Sequence, residues 1–387
     1  MMVHANYKRF IELIEEQGAA AAFRRKHAAI FSTSIKYFDY TAHNYMHAVS
    51  DDFGMKVYGE YSAEMNDLFN DKERTRLLTF FTGYCDSIAR NEPSVRVFPS
   101  LVKRKREYVP GADSKVVDPG ELKVVIISDD WDGAINIKLM IDRMRKLFGG
   151  QAEVINLRDI DIKGGCLGCL HCGYDNKCVY EGKDGFVEFY NTCLKPADIL
   201  IFAGTIRDRY FSSVWKNFFD RAFFNNHVPS FPGKQMAFLV SGPLRQIPNL
   251  RQIFEVYCER QHANLVGIAT DETNNGEIDR SIEELVCRAI EFARQGYVKP
   301  ATFLQVGGSK IFRDAIWGRL RFPFIADHKY YKTHGMYDFP QNNDYGVRLR
   351  NLLFSLLVAL PPVRKEIYRN RLKEKMVKSF RNLLAKL

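Results

Sequence analysis

Nowhere does this chain contain the ~20 consecutive apolar residues that a membrane-spanning helix needs. The nearest approach, Leu349 to Leu360, is short and carries Arg350, Asn351 and Ser355. Nor is there an N-terminal charged-then-apolar stretch of the signal-peptide kind. The opening MMVHANYKRFIELIEEQG reads as an amphipathic helix, with Tyr7, Phe10, Ile11 and Ile14 on one face. No Ser-His-Asp set and no pair of catalytic carboxylates is legible, so no acid–base residue is assigned and any redox chemistry falls to cofactors. An apolar fraction of 46% with 26% charged residues excludes global disorder. The expectation is a soluble, cytoplasmic protein of two to three domains, in which cysteines serve as metal ligands or redox groups rather than disulfides.

What is present is a string of thirteen residues, Cys166-Leu-Gly-Cys169-Leu-His-Cys172-Gly-Tyr-Asp-Asn-Lys-Cys178, holding four of the eight cysteines. Two-residue gaps let a tight turn aim successive sulfurs inward, and Gly165, Gly168 and Gly173 permit the positive φ such turns use. Three close thiolates and a fourth slightly later are the style of a [4Fe–4S] cluster, whereas zinc sites more often pair two C-x2-C knuckles across a longer gap. The cluster is favoured; zinc, a redox dithiol and a metal-free loop remain open. His171 reads as a solvated loop residue, and Cys85, Cys193, Cys258 and Cys287 as buried small hydrophobes within helices.

The net charge of +10 is uneven. From Pro361 to Leu387 nine Lys or Arg face two Glu, and a second basic run is Lys103-Arg-Lys-Arg106. Such runs are most often solvated faces, with attraction to acidic partners or anionic membranes as the secondary reading. No specific nucleic-acid binding is expected.

Between residues 122 and 298 strand and helix patterns alternate. The strands are Lys123–Ser128, Ala152–Leu157, Ala197–Gly204 (ADILIFAG), Gln235–Ser241 and Leu265–Thr270. Near-continuous apolar strands separated by helices imply an α/β, flavodoxin-like doubly wound five-stranded parallel sheet of order 2-1-3-4-5. Ligands then sit beyond the carboxyl ends of its first and third strands, after Ser128 and after Gly204, with the cysteine loop emerging at the same end.

Residues 1–95 repeat part of this unit at a constant offset of 208. Lys8-Arg-Phe10-Ile-Glu12 falls on Lys216-Asn-Phe218-Phe-Asp220, Phe23 to Lys26 on Phe231 to Lys234, and Gly59 on Gly267. The expectation is a half-domain equivalent to about 209–303: helix, strand, helix, strand, helix. Half a sheet leaves an apolar edge. A truncated tandem unit is the favoured explanation; docking of the two strands on the complete domain or a partner subunit is the other. Residues 96–121 read as a linker and 299–387 as a basic helical extension. Its last helix, Val363–Leu387, carries a stripe of Val363, Ile367, Met376, Phe380, Leu383 and Leu387. It packs on its own domain or makes weak contact with an anionic membrane or a partner.

The order strand, cysteine loop, Asp184 helix, ADILIFAG, then Ser212-Ser213-Val-Trp-Lys216-Asn-Phe-Phe-Asp220-Arg221 resembles the NAD(P)H-dependent FMN reductases. Within them it resembles the iron–sulfur flavoprotein branch. The resemblance covers about 122–296. It implies FMN bound at a subunit interface of a homodimer or tetramer, electron transfer between flavin and a cluster on Cys166, Cys169, Cys172 and Cys178, and NAD(P)H or a ferredoxin-like acidic protein as redox partner. Carried onto this chain, the flavin contacts are Ser128, Trp131, Gly133, Ala134 and Asn136, then Gly204, Thr205, Ile206, Arg207, Tyr210 and Ser212, then Ser241 and Gly242. Two departures matter. The phosphate loop reads Ser128-Asp129-Asp130-Trp131-Asp132-Gly133, placing three carboxylates near a dianion, and Thr205-Ile206-Arg207 replaces Pro-x-Tyr. Arg207 or Arg209 is then the counter-charge. The alternative function is a flavodoxin-like scaffold that has lost its flavin, with zinc or nothing on the cysteines.

Overall fold

The computed structural model describes residues 3–34, 36–64, 66–102, 107–112, 115–129, 135–339 and 345–371, then 374, 377–378, 381–382 and 384–385. The Lys103–Arg106 run and four members of the C-terminal stripe, Met376, Phe380, Leu383 and Leu387, lie outside the described residues. Two compact units result, residues 1–330 and 331–387.

The first unit opens with α1 (Ala5–Glu16), β1 (His27–Thr33), α2 (Asp39–Asp52), β2 (Lys56–Ala63) and α3 (Asp71–Ala89). It continues with β3 (Val124–Ser128), α4 (Ile135–Leu147), β4 (Glu153–Asn156), α5 (Phe186–Phe189), β5 (Ile199–Thr205) and α6 (Ser213–Arg221). Then come β6 (Gln235–Ser241), α7 (Pro248–Arg260), β7 (Asn264–Thr270), α8 (Asn275–Gln295) and α9 (Phe303–Trp317). Helix α10 (Ile325–Thr333) leads into the second unit, which holds α11 (Tyr345–Leu357) and α12 (Pro361–Glu366). Leu352, Leu353, Leu356 and Leu357 of α11 are exposed. No helix among the described residues is long and apolar enough to cross a membrane.

Strands β3 to β7 form one all-parallel sheet of order β4-β3-β5-β6-β7, the expected flavodoxin-like order. Every residue of β3 is buried, and β5 and β6 are buried over six of seven positions each, because helices cover both faces. On one face Met140, Met144, Ile282 and Val286 of α4 and α8 pack against Ile126, Ile201 and Leu239. On the other, Trp215, Phe218 and Phe254 of α6 and α7 pack against Phe202 and Phe238.

Strands β1 and β2 form a separate two-stranded parallel sheet. Its register, His27 with Lys56 and Ile30 with Glu60, matches that of Gln235 with Asn264 and Phe238 with Ile268, each 208 positions on. It is the helices of this segment, not its strands, that meet the five-stranded domain: α1 lies on α6 and α2 on α7. The face α1 buries matches the expected one at Ile11 and Ile14, which are buried, and differs from it elsewhere. Tyr7 and Phe10 are 47% and 48% exposed, whereas Lys8 is 0% and Glu12 2% exposed. Lys8 Nζ donates to Glu12 Oε1 at 2.8 Å and meets Asp208 Oδ2 at 2.9 Å, and Tyr45 Oη donates to Asp208 Oδ2 at 2.8 Å. Burial pushes the Glu12 carboxyl up, but the Lys8 ammonium and the two Ser213 donors outweigh it and hold Glu12 below the usual range.

A buried charge stripped of its partner is left uncompensated. Asp208→Ala is therefore expected to lower unfolding free energy by about 3–5 kcal/mol. Denaturant titration checks it, and a loss under about 1 kcal/mol, the worth of an exposed pair, would overturn the role given to Lys8.

Candidate functional site

The cysteine string lies in the long loop between β4 and α5, beside the carboxyl end of the sheet. Gly168 takes φ +63°, and Leu170 and Asn176 take +56° and +61°, so three left-handed residues coil the loop back on itself. Gly173 has no room for a Cβ, because the Pro323 carbonyl presses against it. Cys166, Cys169, Cys172 and Cys178 all line one small cavity of about 30 Å³, walled by Leu167, Phe223 and Phe224 with Arg221 at its side. Among the described residues no three His, Cys, Asp or Glu side chains close on a single ion. Burial pushes the Cys172 thiol up to about 11, and Cys166, Cys178 and Cys169 add to it. Cys166 is raised as well, by burial first and then by Asp220 and the neighbouring thiols. His171 is exposed. Of the four cysteines expected to be buried in helices, Cys258 is, Cys193 is half-buried, and Cys85 and Cys287 are exposed. The last two lie on outward faces of α3 and α8, which cysteine spacing does not reveal.

Two side chains hold this loop, Arg221 at the end of α6 and Asn226 five residues beyond it. Arg221, buried, donates to Asp184 at 2.7 and 3.0 Å and to the Gly164 carbonyl at 2.8 Å. Its guanidinium lies 4.3 Å from the Tyr180 ring centre and 5.0 Å from that of Phe186. Burial raises the Asp184 carboxyl, but the hydrogen bonds and charge of Arg221 outweigh it and leave it below the usual range. Asn226 donates to the Cys172 carbonyl at 2.8 Å and to Asn176 Oδ1 at 2.7 Å, while Cys172 Sγ points at Asn226 Oδ1 at 3.3 Å. From the N-terminal segment, His4 Nε2 donates to the Cys166 carbonyl at 2.9 Å.

The crevice after β3, β5 and β6 brings most of the expected flavin contacts together, yet most of their described polar groups already have partners. Trp131, Gly133 and Ala134, with Asp130 and Asp132, lie outside the described residues. Ser128 is buried at the end of β3. Asp271, just past β7, accepts from Asn136 Nδ2 at 2.8 Å, Ser241 Oγ at 2.6 Å and the Gly242 N–H at 2.8 Å. Asp129 is buried and accepts from Ser212 Oγ; burial raises its carboxyl, against the pull of Ser212 and Arg158. Arg207 donates to Glu16 at 2.9 Å, and Arg209 to Asp52 at 2.6 and 2.9 Å. Tyr210 is buried with its N–H on Asp208, and the Ile206 N–H donates to the Ser241 carbonyl. At Gly204 an added Cβ would meet Trp215 Nε1 at 2.9 Å and the Phe211 ring at 3.0 Å. The Thr205 hydroxyl is buried without a partner. A hollow of about 480 Å³ adjoins this end, lined by Tyr45, Phe98, Arg209 and Ile247. Carboxylates thus hold most of the described side-chain donors here, the Thr205 hydroxyl excepted.

A cavity of about 340 Å³ lies on the other side of Cys166 and Gly168, which line both spaces. Phe219, Tyr257, Tyr37 and Phe312 supply aromatic walls. The Arg260 guanidinium lies 5.5 Å from the Tyr37 ring centre and 4.8 Å from that of Phe312. Lys216 and Asp220 form an ion pair in the wall. Nothing in the sequence pattern marked this space, because its walls come from six segments far apart in the chain.

No family model matches the chain, and no curated protein resembles it in sequence. Among solved structures it is similar to RosB with a bound formylated riboflavin phosphate intermediate, at 15% identity and TM-score 0.36, over 45% of this chain and 79% of that one. It is similar also to the Trp repressor binding protein of Bacillus subtilis, at 19% identity and TM-score 0.29, over 43% and 96%. A third is the NADH:FMN oxidoreductase EMOB in its apo form, at 16% identity and TM-score 0.32, over 46% and 92%. Likenesses this faint say nothing of this chain's chemistry. The α/β class rests on the strand order itself.

Arg221→Lys keeps the charge but loses the fork that grips Asp184 and Gly164 together. Amide exchange over residues 164–184 should rise about tenfold or more in the variant, while β5 and β6 stay protected. Unchanged exchange in the loop would overturn the anchoring role. For Asp129 the sign is opposite to that of a paired carboxylate. A carboxyl raised in the folded state weakens folding as pH climbs above its unfolded value of ~3.9. Asp129→Asn should therefore raise the melting temperature at pH 7, with the gain shrinking as pH falls toward 4; a lower melting temperature at pH 7 would refute it.

Proposed function

We propose that this protein is an electron-carrying redox protein built on a flavodoxin-like sheet, with a [4Fe–4S] cluster on Cys166, Cys169, Cys172 and Cys178 as its centre. The single observation behind this reading is the shared cavity: four cysteines from one tight loop face the same small, largely apolar space. The choice of a cluster over zinc rests on the C-x2-C-x2-C-x5-C spacing, because zinc sites more often pair two C-x2-C knuckles across a longer gap. Bound there, the cluster would accept and release single electrons. The chain's part is positional. Leu167, Phe223 and Phe224 give the cavity apolar walls, Arg221 and Asp184 fix the loop at its ends, and Asn226 orients Cys172.

The FMN implied by the family resemblance would meet, among the described residues of the crevice, donors mostly held by carboxylates, with the Thr205 hydroxyl the exception, so no step is assigned to it there. A second reading keeps a flavin in another place. The aromatic cavity behind Cys166 suits a planar ring bearing an anionic group, with Arg260 as counter-charge and a cluster ligand in its wall. NAD(P)H, or a ferredoxin-like acidic protein drawn to the basic C-terminal residues, would be the electron source or sink.

Anaerobic purification with assay of iron, acid-labile sulfide, zinc and flavin tests both readings. About four irons and four sulfides per chain are expected, falling below about one iron in Cys169→Ser. Zinc without sulfide, or iron unchanged in Cys169→Ser, would overturn the cluster. If FMN co-purifies, Arg260→Ala should remove it with iron intact. Loss on Asn136→Ala, with no effect of Arg260→Ala, would place the flavin in the crevice instead.

A further inference from the structure

We infer that the α6–α7 face of this domain is a self-recognition surface, and that the chain covers it in cis with residues 1–95, which occupy the place of a second copy. Two-fold pairing has a signature: if residue i of one copy meets j of the other, then j meets i. That signature is present here within one chain. At the offset of 208, Ala5 corresponds to Ser213 and Glu12 to Asp220. The Ala5 N–H donates to Asp220 Oδ2 at 2.8 Å, and the Ser213 N–H donates to Glu12 Oε1 at 2.7 Å. These are the same bond made in both directions. Each acid also pairs with the lysine one turn before it, Lys8 with Glu12 and Lys216 with Asp220.

The second helix pair obeys the same operator. Thr41 corresponds to Asn249, and Asn249 Nδ2 donates to the Thr41 carbonyl at 3.0 Å, so a position meets its own equivalent, as residues on a two-fold axis do. Tyr45 and Val49 of α2 share one apolar cluster with Ile253 and Tyr257 of α7, their counterparts at that offset. Two helices, one offset and reciprocal bonds are not what incidental packing yields. A homo-oligomer built on this face is thereby closed off, and what a second subunit would contribute comes from the same chain. His4 supports the Cys166 carbonyl, and Tyr37 walls the cavity behind it. Nothing in this inference rests on a bound cluster.

The full chain tests it. An equal mixture of light and nitrogen-15-labelled protein is cross-linked, and peptides joining residues 1–95 to 213–260 are weighed. Light should join only light and heavy only heavy; mixed pairs would mean that the segment crosses between copies, and the inference fails. In parallel, Glu12→Arg should raise amide exchange in α1 and α6 together by about tenfold or more. Unchanged α6 exchange would equally overturn it. Should Glu12→Arg fail to fold by circular dichroism, Glu12→Gln keeps an acceptor for Ser213 and lacks the charge for Lys8. It is expected to shift both helices in the same sense by a smaller factor, and a shift in α1 alone would refute the pairing.

Discussion

A single buried ammonium organises much of this molecule. Lys8 has no exposure, so its charge is tolerable only while Glu12 and Asp208 both face it. Glu12 is tied in turn to the first turn of α6 through Ser213, and Asp208 lies in the loop after β5. One charge thus fixes three things at once: the seat of α1, the start of α6, and the path of a loop that in this sheet order borders the ligand crevice. That loop cannot open toward a ligand without uncovering Lys8. Docking of the N-terminal segment and the path of this loop are consequences of the same interaction.

The parts of this fold that the sequence discloses are those governed by short-range pattern. Continuous apolar runs such as VVIIS and ILIFAG can only be strands covered on both faces, and the parallel order follows from the helices between them. The cysteine loop was legible for the same reason: its four thiols are local, so their shared cavity follows from spacing and turn-forming residues. The buried face of α1 was legible only in part, at Ile11 and Ile14. Periodicity reads Lys and Glu as solvent-facing, and a buried ion pair satisfied from a loop two hundred positions away inverts that reading. The signal lay in the repeat instead, which had already set Lys8 and Glu12 against Lys216 and Asp220. Arg221 and Asp184 were both visible as motif residues, yet nothing local shows that one grips the other across the loop.

Asp271 drew no notice in the sequence, and it explains the crevice best. A phosphate in a doubly wound sheet is held by donors converging from several strand ends and a helix start. Here such donors do converge: Asn136 from α4, the Ser241 hydroxyl at the end of β6, and the Gly242 N–H beyond it. Their common acceptor is a carboxylate supplied by the chain. A tethered carboxylate is ordered on folding, whereas a free phosphate would have to displace it and would also lie near the buried carboxyl of Asp129. Asn136, Ser241 and Gly242 are thus drawn together by one side chain of the protein itself. The cysteine loop is held instead by Arg221 and Asn226, which take no part in the Asp271 network, so the two regions are built on separate sets of interactions.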